Sequence, residues 1–424
     1  MGARIQPGRA RGLMSRILIL DGHSCAALAF TRSLGRAGHQ IFIGADHNSF
    51  AAASFSRYSQ RCFRYSPAPQ QPELFAEEII SFCTREEIDL LIPMTDWTMV
   101  PISRVRDRFP TQCAVALPPE KAMVAAADKF QTVELARSLG IPVPRTELVS
   151  SVGELEQLTD MTFPVVVKDR YSIRWTAQGG VAGSVRYAYN RDELAGIVNA
   201  RLEVVQDVLL QEFVHGAGLG LAGLVASDQL RIPFEWQRIR EINPSGSASS
   251  ARRSVALQDD MLKYSEQLLV ALSFRGLAMV EFKRETKTGR AVFMEVNGRP
   301  WGSMQLSIFS GIDFPKWLVQ SYAQNELPPQ HINYKTDITC RWLLGDLIHF
   351  TNVMAGRPRA WPGAFPRRIP TALKLVVPWY PGLRYEDFAG GDLKPGFASL
   401  KNWFRQKLIR PKTVVAHAKT AAES

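Results

Sequence analysis

The chain is 424 residues long, 46% apolar and 21% charged, with a formal net charge of +11, a composition that excludes disorder as its main state. At roughly 150 residues per domain it has room for two or three domains and a deep cleft between them, without disulfides or structural metals. The charge sits at the ends: residues 331–424 hold 15 Lys/Arg against 6 Asp/Glu, and the first 16 hold Arg4, Arg9, Arg11 and Arg16 with no acid, so it bears on what the protein sits near more than on chemistry in its centre.

Residues 1–15 read as a basic, disordered arm, with Met14 directly before the first structural segment. From Arg16 a short apolar strand, the turn Asp21-Gly22-His23-Ser24, a helix over Ala26–Leu34, Gly38 and a strand over Gln40–Gly44 make a β-turn-α-β start of a parallel sheet. Ile88–Pro93 and Ala114–Leu117 add two more strands, and Pro118-Pro119 closes an α/β domain at 118. A second domain runs from 119 to 330, with a lid subdomain at about 142–210. It opens with two helices that stop at Gly140 and Pro142. Strands follow at Phe163–Lys168, Arg186–Tyr189 and Leu209–Val214, then Gly216–Ala226 and Leu230–Glu241 around a turn. A helix over Met261–Phe274 leads to a hairpin, Leu277–Arg284 with Arg290–Asn297. Residues 331–424 form a basic C-terminal appendage.

The five scattered cysteines, Cys25, Cys62, Cys83, Cys113 and Cys340, show none of the short pairings of zinc or redox sites and read as reduced thiols of a cytoplasmic chain. No stretch approaches about 18 consecutive apolar residues, and no signal-peptide core follows the basic start, so neither a membrane span nor secretion is expected.

The hairpin is the most informative element. A three-residue turn at Lys287-Thr288-Gly289 sets Glu281 opposite Glu295, and alternation puts Asn297 on the face of Glu295. Like charges directly opposed are destabilising unless a cation stands between them. Two carboxylates and an amide are also what Mg²⁺ takes when substrate phosphates supply the remaining oxygens. Two solvated glutamates on an edge hairpin are the alternative. Lys168 ends the apolar strand FPVVVK and needs an anion if it is buried; it could equally snorkel from a strand end. Lys129 begins a helix, where a lone lysine is commonly a surface residue. Gln178 to Ser184, with Gly179, Gly180 and Gly183, is a glycine-rich turn whose amides could fold over phosphate oxygens or simply form a flexible tip.

In this order and spacing the segments resemble the ATP-grasp superfamily over about Arg16–Leu327: the Asp128-Lys129 helix, LGIPVP, FPVVVK, the glycine lid, QEFVHG, VEFKRE and FMEVNGRPWG. The resemblance implies an α/β ATP-grasp fold with a Rossmann-like N-terminal domain. It implies that Lys129 and Lys168 contact the phosphates of ATP under a lid of Gly179, Gly180, Gly183 and Ser184. Gln211, Glu212, Phe213 and Val214 would form the adenine hinge, with Glu212 and the Val214 backbone on the base. Glu281, Glu295 and Asn297 would hold Mg²⁺, for which Mn²⁺ is a possible substitute, and Arg299 would face the transferred phosphoryl group. After QEFVHG the family often has an acid for the ribose hydroxyls; here Gly216–Gly220 has none.

The run Trp236–Glu241 and the Ser/Gly-rich loop Asn243–Ser250 look like the carbamoyl-phosphate-synthetase-like carboxylate-amine ligases, with D-aspartate ligases among their relatives. Alternation puts Arg238 and Arg240 on one face, suited to anionic substrate groups or to a charged outer face; Arg252 and Arg253 flank the loop. The activity implied is ATP-dependent joining of a small-molecule carboxylate to an amine through an acyl phosphate. A bicarbonate-activating reaction and a catalytically silent nucleotide-binding accessory protein are the alternatives, and a homodimer is compatible with either. Asp21-Gly22-His23-Ser24 lacks the G-x-G-x-x-G of a dinucleotide site, and His23, His39 and His215 do not fall at ligand spacing.

In the appendage, Arg359-Ala360-Trp361-Pro362 and Val377-Pro378-Trp379-Tyr380 are Pro-rich and aromatic. Over 400–410, Leu400, Trp403, Phe404 and Lys407-Leu408 fall near helical spacing among basic residues. That helix either packs on the body or lies on an anionic membrane at the inner face. No nucleic-acid motif accompanies the charge, so no nucleic-acid partner is expected.

Overall fold

The computed structural model describes residues 14–409 apart from 177–178, 325, 359–360, 362 and 377–379. The rest of the basic arm, Gln178, Arg359, Ala360, Pro362, Val377, Pro378, Trp379 and Arg410 lie outside these.

The first sheet is five-stranded and parallel, in the order Ser59–Tyr65, Gln40–Asp46, Arg16–Ile19, Leu90–Ile92, Ala114–Val115. Its central strands are continuous apolar runs because helices cover both faces; Ile17, Leu18, Ile19, Ile41, Leu90 and Ile92 are fully buried. Ser24 ends the first βα turn by accepting from the Ala27 amide (3.1 Å), which caps the helix Cys25–Arg36. Asp21, held in the left-handed region at φ 54°, accepts from the amides of Met94 (3.1 Å) and Thr95 (2.9 Å) and from the Thr98 hydroxyl (2.6 Å). The carboxylate that mimics a dinucleotide site is thus committed to tying two loops together.

The second sheet is antiparallel, ordered Val185–Ala188, Val165–Asp169, Val208–Glu212, Thr146–Val149. Val165 and Val167 point into a small core with Leu194, Val198 and Leu210, so alternation turns Val166 and Lys168 to the opposite face. A two-stranded hairpin, Ile173–Thr176 with Gly179–Ala182, extends from this subdomain.

The third sheet has seven strands, in the order Ala291–Asn297, Gly276–Glu285, Gly216–Ala226, Gln229–Glu241, Ser249–Ser254, Thr339–Arg341, Leu383–Tyr385. The last two belong to the segment expected as an appendage, so the sheet runs on across position 330. The C-terminal residues also return to the first domain. Buried Arg32 donates from Nε to Asp392 Oδ2 (3.0 Å) and from its other nitrogens to the backbone oxygens of Glu386, Asp387 and Asp392. Asp392 further accepts from the Ser56 hydroxyl (2.7 Å) and the Arg57 amide (3.0 Å). An Arg–carboxylate pair this dry is worth forming only because nearly every donor and acceptor is satisfied. The helix Lys394–Ile409 leaves Phe397, Phe404 (53% exposed) and Leu408 (81%) in solvent, while Leu400 and Trp403 are half-buried. Its apolar stripe is therefore packed only in part. Among the described residues no helix is long and apolar enough to cross a membrane.

Candidate functional site

The antiparallel pair Gly276–Glu285 and Ala291–Asn297 sets Glu281 opposite Glu295 and Met279 opposite Asn297. The register expected from sequence is met by two features that cancel. The loop is one residue longer than the predicted turn, closed by Glu285 N–H to Arg290 O (2.9 Å), and a bulge between Glu281 and Phe282 takes the extra residue back. Asn297 Nδ2 donates to Glu295 Oε1 (3.3 Å).

The two carboxylates are not equivalent. Burial pushes the Glu281 carboxyl up despite Arg238 Nη2 against its Oε2 at 2.5 Å, and the charge of Glu295 pushes the same way. Burial would also push Glu295 up, but Lys129, Lys168 and Arg238 together hold it below its ordinary range. The cations come from different elements. Lys129 opens the helix Lys129–Ser138, capped by Asp128, whose Oδ1 accepts from the Phe130 and Gln131 amides (3.1 and 3.0 Å); its Nζ donates to Ser172 Oγ at 2.9 Å. Lys168 donates to Gln211 Oε1 (2.7 Å), and Gln211 is oriented by its own donation to Thr146 Oγ1 (3.1 Å). The Lys168 ammonium is lowered to about 8, by burial first and then by the charges of Lys129 and Lys283, against the opposing pull of Glu295 and Glu281. Lys168 is thus a cation poised to release or take up a proton near neutral pH.

Arg299 follows the hairpin and donates from Nε to Asp96 Oδ2 (3.0 Å), joining the large sheet to the first helix-start beyond Leu90–Ile92. Asp96 was not apparent in the sequence, because it comes from the other domain. Lys283 was also passed over, although it stands two residues from Glu281 and so shares its face. Its Nζ donates to Val214 O (2.9 Å) and lies 4.9 Å from the Phe213 ring centroid.

The hinge residues divide. Gln211, 2% exposed, serves Lys168 rather than the open cleft. Glu212 is exposed and its Oε2 accepts from the Arg145 amide (3.3 Å). Phe213 and Val214 stand beside Lys283. The two arginines expected on one face also part company. A register shift lies between Arg238 and Arg240; Arg238 meets Glu281, whereas Arg240 Nη1 pairs with the fully buried Asp346 (2.6 Å), which also takes Arg341 Nε (2.6 Å). Alternation fails here because one extra residue re-aims everything after it.

The glycine segment is docked. Gly180 N–H donates to Pro69 O of the first domain (2.7 Å), and Trp97 and Trp175 meet edge to face with centroids 6.1 Å apart. Gly179 has φ +120°, and a Cβ there would sit 2.0 Å from Pro69 O; only glycine permits the approach. Gly183 and Ser184 lie at the hairpin base, where Ser184 N–H donates to Asp169 Oδ2 (2.9 Å). What results is a cleft between two sheets, with three lysines and two arginines around two carboxylates, one hairpin drawn across to the far wall. Such a site can neutralise a polyanion and exclude water around it. The carboxylate-carboxylate-amide set fits a Mg²⁺ ion that completes its shell with phosphate oxygens.

Residues 230–345 match the family model "ATP-grasp in the biosynthetic pathway with Ter operon". The carbamoyl phosphate synthase large chain of Methanospirillum hungatei is 35% identical over 101 residues, covering 23% of this chain and 9% of that one. The D-alanine–D-alanine ligase of Carboxydothermus hydrogenoformans is 24% identical over 205 residues, 43% of this chain and 62% of the relative. The matched segments therefore span less than two thirds of these relatives' own length. Among solved structures, the ADP complex of N5-carboxyaminoimidazole ribonucleotide synthetase superposes with a TM-score of 0.60 at 12% identity, over 88% of this chain and 98% of that one. In fold and in the order of its motifs the chain is thus similar to ATP-grasp proteins, and its residues 230–345 match an ATP-grasp family model.

Proposed function

We propose that the protein is an ATP-dependent ligase that joins a small-molecule carboxylate to an amine. The observation that carries this reading is the register Glu281–Glu295, with Lys129, Lys168, Arg238 and Arg299 gathered around it from four separate segments. Lys129 and Lys168 would hold the ATP phosphates, and Arg299 the phosphoryl group in transfer. Arg238 would face the carboxylate substrate. Glu281, Glu295 and Asn297 would hold Mg²⁺, which would supply positive charge against the charge developing on the phosphoryl group. A substrate carboxylate oxygen attacks the γ-phosphorus and ADP leaves; the amine nitrogen then attacks the acyl phosphate carbon, loses a proton, and phosphate departs. The protein supplies positioning and charge rather than a nucleophile, and the hairpin docked on Pro69 keeps water from the acyl phosphate.

The likeness to a D-alanine–D-alanine ligase favours an amino acid as the acceptor. The likeness to a carboxyaminoimidazole ribonucleotide synthetase over most of the chain supports a second reading, in which bicarbonate is the carboxyl group activated. An ADP-release screen across amino acids, sugar acids and bicarbonate tests both. Oxygen-18 passing from the carboxylate into released phosphate supports the ligase, and ADP release that depends on bicarbonate supports the second reading. Nucleotide binding without ADP release under any substrate pair would leave an accessory protein.

A further inference from the structure

The helix Leu343–Ala355 starts at the end of the family-matched span and stops at Gly356, and Trp361, beyond that span, packs against Tyr187 and Phe213. The turn is fastened by Trp361 N–H to Pro358 O (3.3 Å) and by Arg357 Nη2 donating to Trp361 O. The Trp361 side chain belongs to a residue only 6% exposed. Its ring meets Tyr187 at 5.1 Å and 84° and Phe213 at 5.7 Å and 88°, while Tyr187 and Phe213 are 6.0 Å apart.

These three rings come from three places: the lid subdomain, the hinge and the C-terminal segment. Tyr187 pairs with Val166, so it shares the sheet face of Lys168. Lys283 lies over Phe213, and its charge acts on Lys168. The aromatic group is thus continuous with the phosphate-facing lysines. Among the described residues the indole Nε1–H of Trp361 is buried with no acceptor, as are those of Trp175 and Trp301, and of the three it is the one that lies against the hinge residue Phe213. Aromatic rings together with one unpaired donor suit a flat heteroaromatic ring that carries acceptor nitrogens and leads to an anionic tail, as the base of a nucleotide does.

Resting on the ATP reading above, the geometry points to Trp361 as a base-contact residue of the nucleotide site: the C-terminal segment closes the base end, and the indole, enclosed by Tyr187 and Phe213 in this structure, parts from them to pack on the base and to donate its N–H to a ring nitrogen. The test compares ADP with inorganic tripolyphosphate, which has no base, by titration calorimetry on the full chain. Trp361→Ala should weaken ADP at least tenfold and leave tripolyphosphate within twofold of wild type. Trp361→Phe keeps a ring but no donor and should weaken ADP several-fold; it decides the matter if the alanine variant melts early. Unchanged or tighter ADP binding, or equal weakening of both ligands, overturns the assignment, the last result marking a merely structural residue. If folded wild-type protein binds neither ligand, the ATP reading itself fails, an outcome the variants are not needed to recognise.

Discussion

The two ends of the cleft are built in different ways. Around Glu281 and Glu295, where the phosphates are proposed to lie, the decisive groups are charged and their placement follows from short-range rules: one strand pairing, one helix cap, one alternation. At the proposed base end Tyr187, Phe213 and Trp361 are aromatic and come from segments up to 174 positions apart in the numbering. Charges meeting in a dry cleft constrain one another strongly; aromatic contacts are individually weaker and more tolerant of exchange.

The largest effect that could break this contrast is Glu295→Gln. Turnover should fall by about a thousandfold or more, the scale seen when one preorganised charge-stabilising group is removed, as read by ADP release. Stability should fall as well, by on the order of 1 kcal/mol, because Lys129 and Lys168 lose the anion that faces them. The sign in pH follows from the depressed Glu295 carboxyl: its contribution is present above the unfolded value and is lost as the pH falls through the folded one. A variant as stable as wild type at pH 7 in a urea melt would refute the stabilising part.

Next come Lys168→Ala and Val167→Ala, neighbours on one strand with opposite facing. The first should weaken nucleotide binding about tenfold to a hundredfold, the scale of a charge-assisted hydrogen bond, with little change in melting. The second should cost about 2 kcal/mol of stability and spare affinity. Val166, on the cleft face, is not a fair packing control. Similar profiles for the two would mean that the sheet faces are wrongly assigned.

Gly179→Ala should hinder docking of the hairpin on Pro69. The expected result is about a tenfold loss of coupling, seen as ADP released without ligated product, since water gains access to the acyl phosphate. Tight coupling in this variant would show that closure does not need this approach.

The smallest effect concerns pH. Free Lys168 titrates at about 8, and a bound polyphosphate raises that value, so binding takes up a proton when the pH lies between the two. Nucleotide affinity should therefore decline as the pH rises through about 8, by less than tenfold per unit, and calorimetry in buffers of different ionisation enthalpy should record the uptake. Lys168→Arg should remove it. Proton release on binding would reverse the sign and exclude Lys168 as the titrating group.

How much of this was legible depends on how locally each feature is encoded. Glu281 opposite Glu295 was readable, although the reasoning that reached it missed both the longer loop and the bulge that corrects it. The strands Arg16–Ile19, Gln40–Asp46 and Val165–Asp169 announced themselves as apolar runs between turn residues. Arg240 was misdirected because a register shift leaves no mark in composition or alternation. Asp96 and Trp361 were invisible as parts of the proposed site for a different reason: each is brought in by packing between segments far apart in sequence, and neither sits in a motif. Gln211 was placed in the adenine hinge by the likeness of its segment, whereas its side chain reaches back to Lys168.

Synthesis runs from the N-terminus, and this gives the Arg32–Asp392 pair a meaning in time. The parallel sheet of the first domain is encoded before residue 120, yet the partners of its buried guanidinium lie at 386–392. During translation Arg32 must stay hydrated, because an unpaired guanidinium in an apolar interior costs several kcal/mol. The first domain can thus gain its parallel sheet early and its final seal only once residues 386–392 have been made. Truncation at 330 should yield a chain whose first domain is present but loosened, with hydrogen exchange faster in the helix Cys25–Arg36 than in the intact protein. Equal protection in the two would show that the domain seals itself without its late partner.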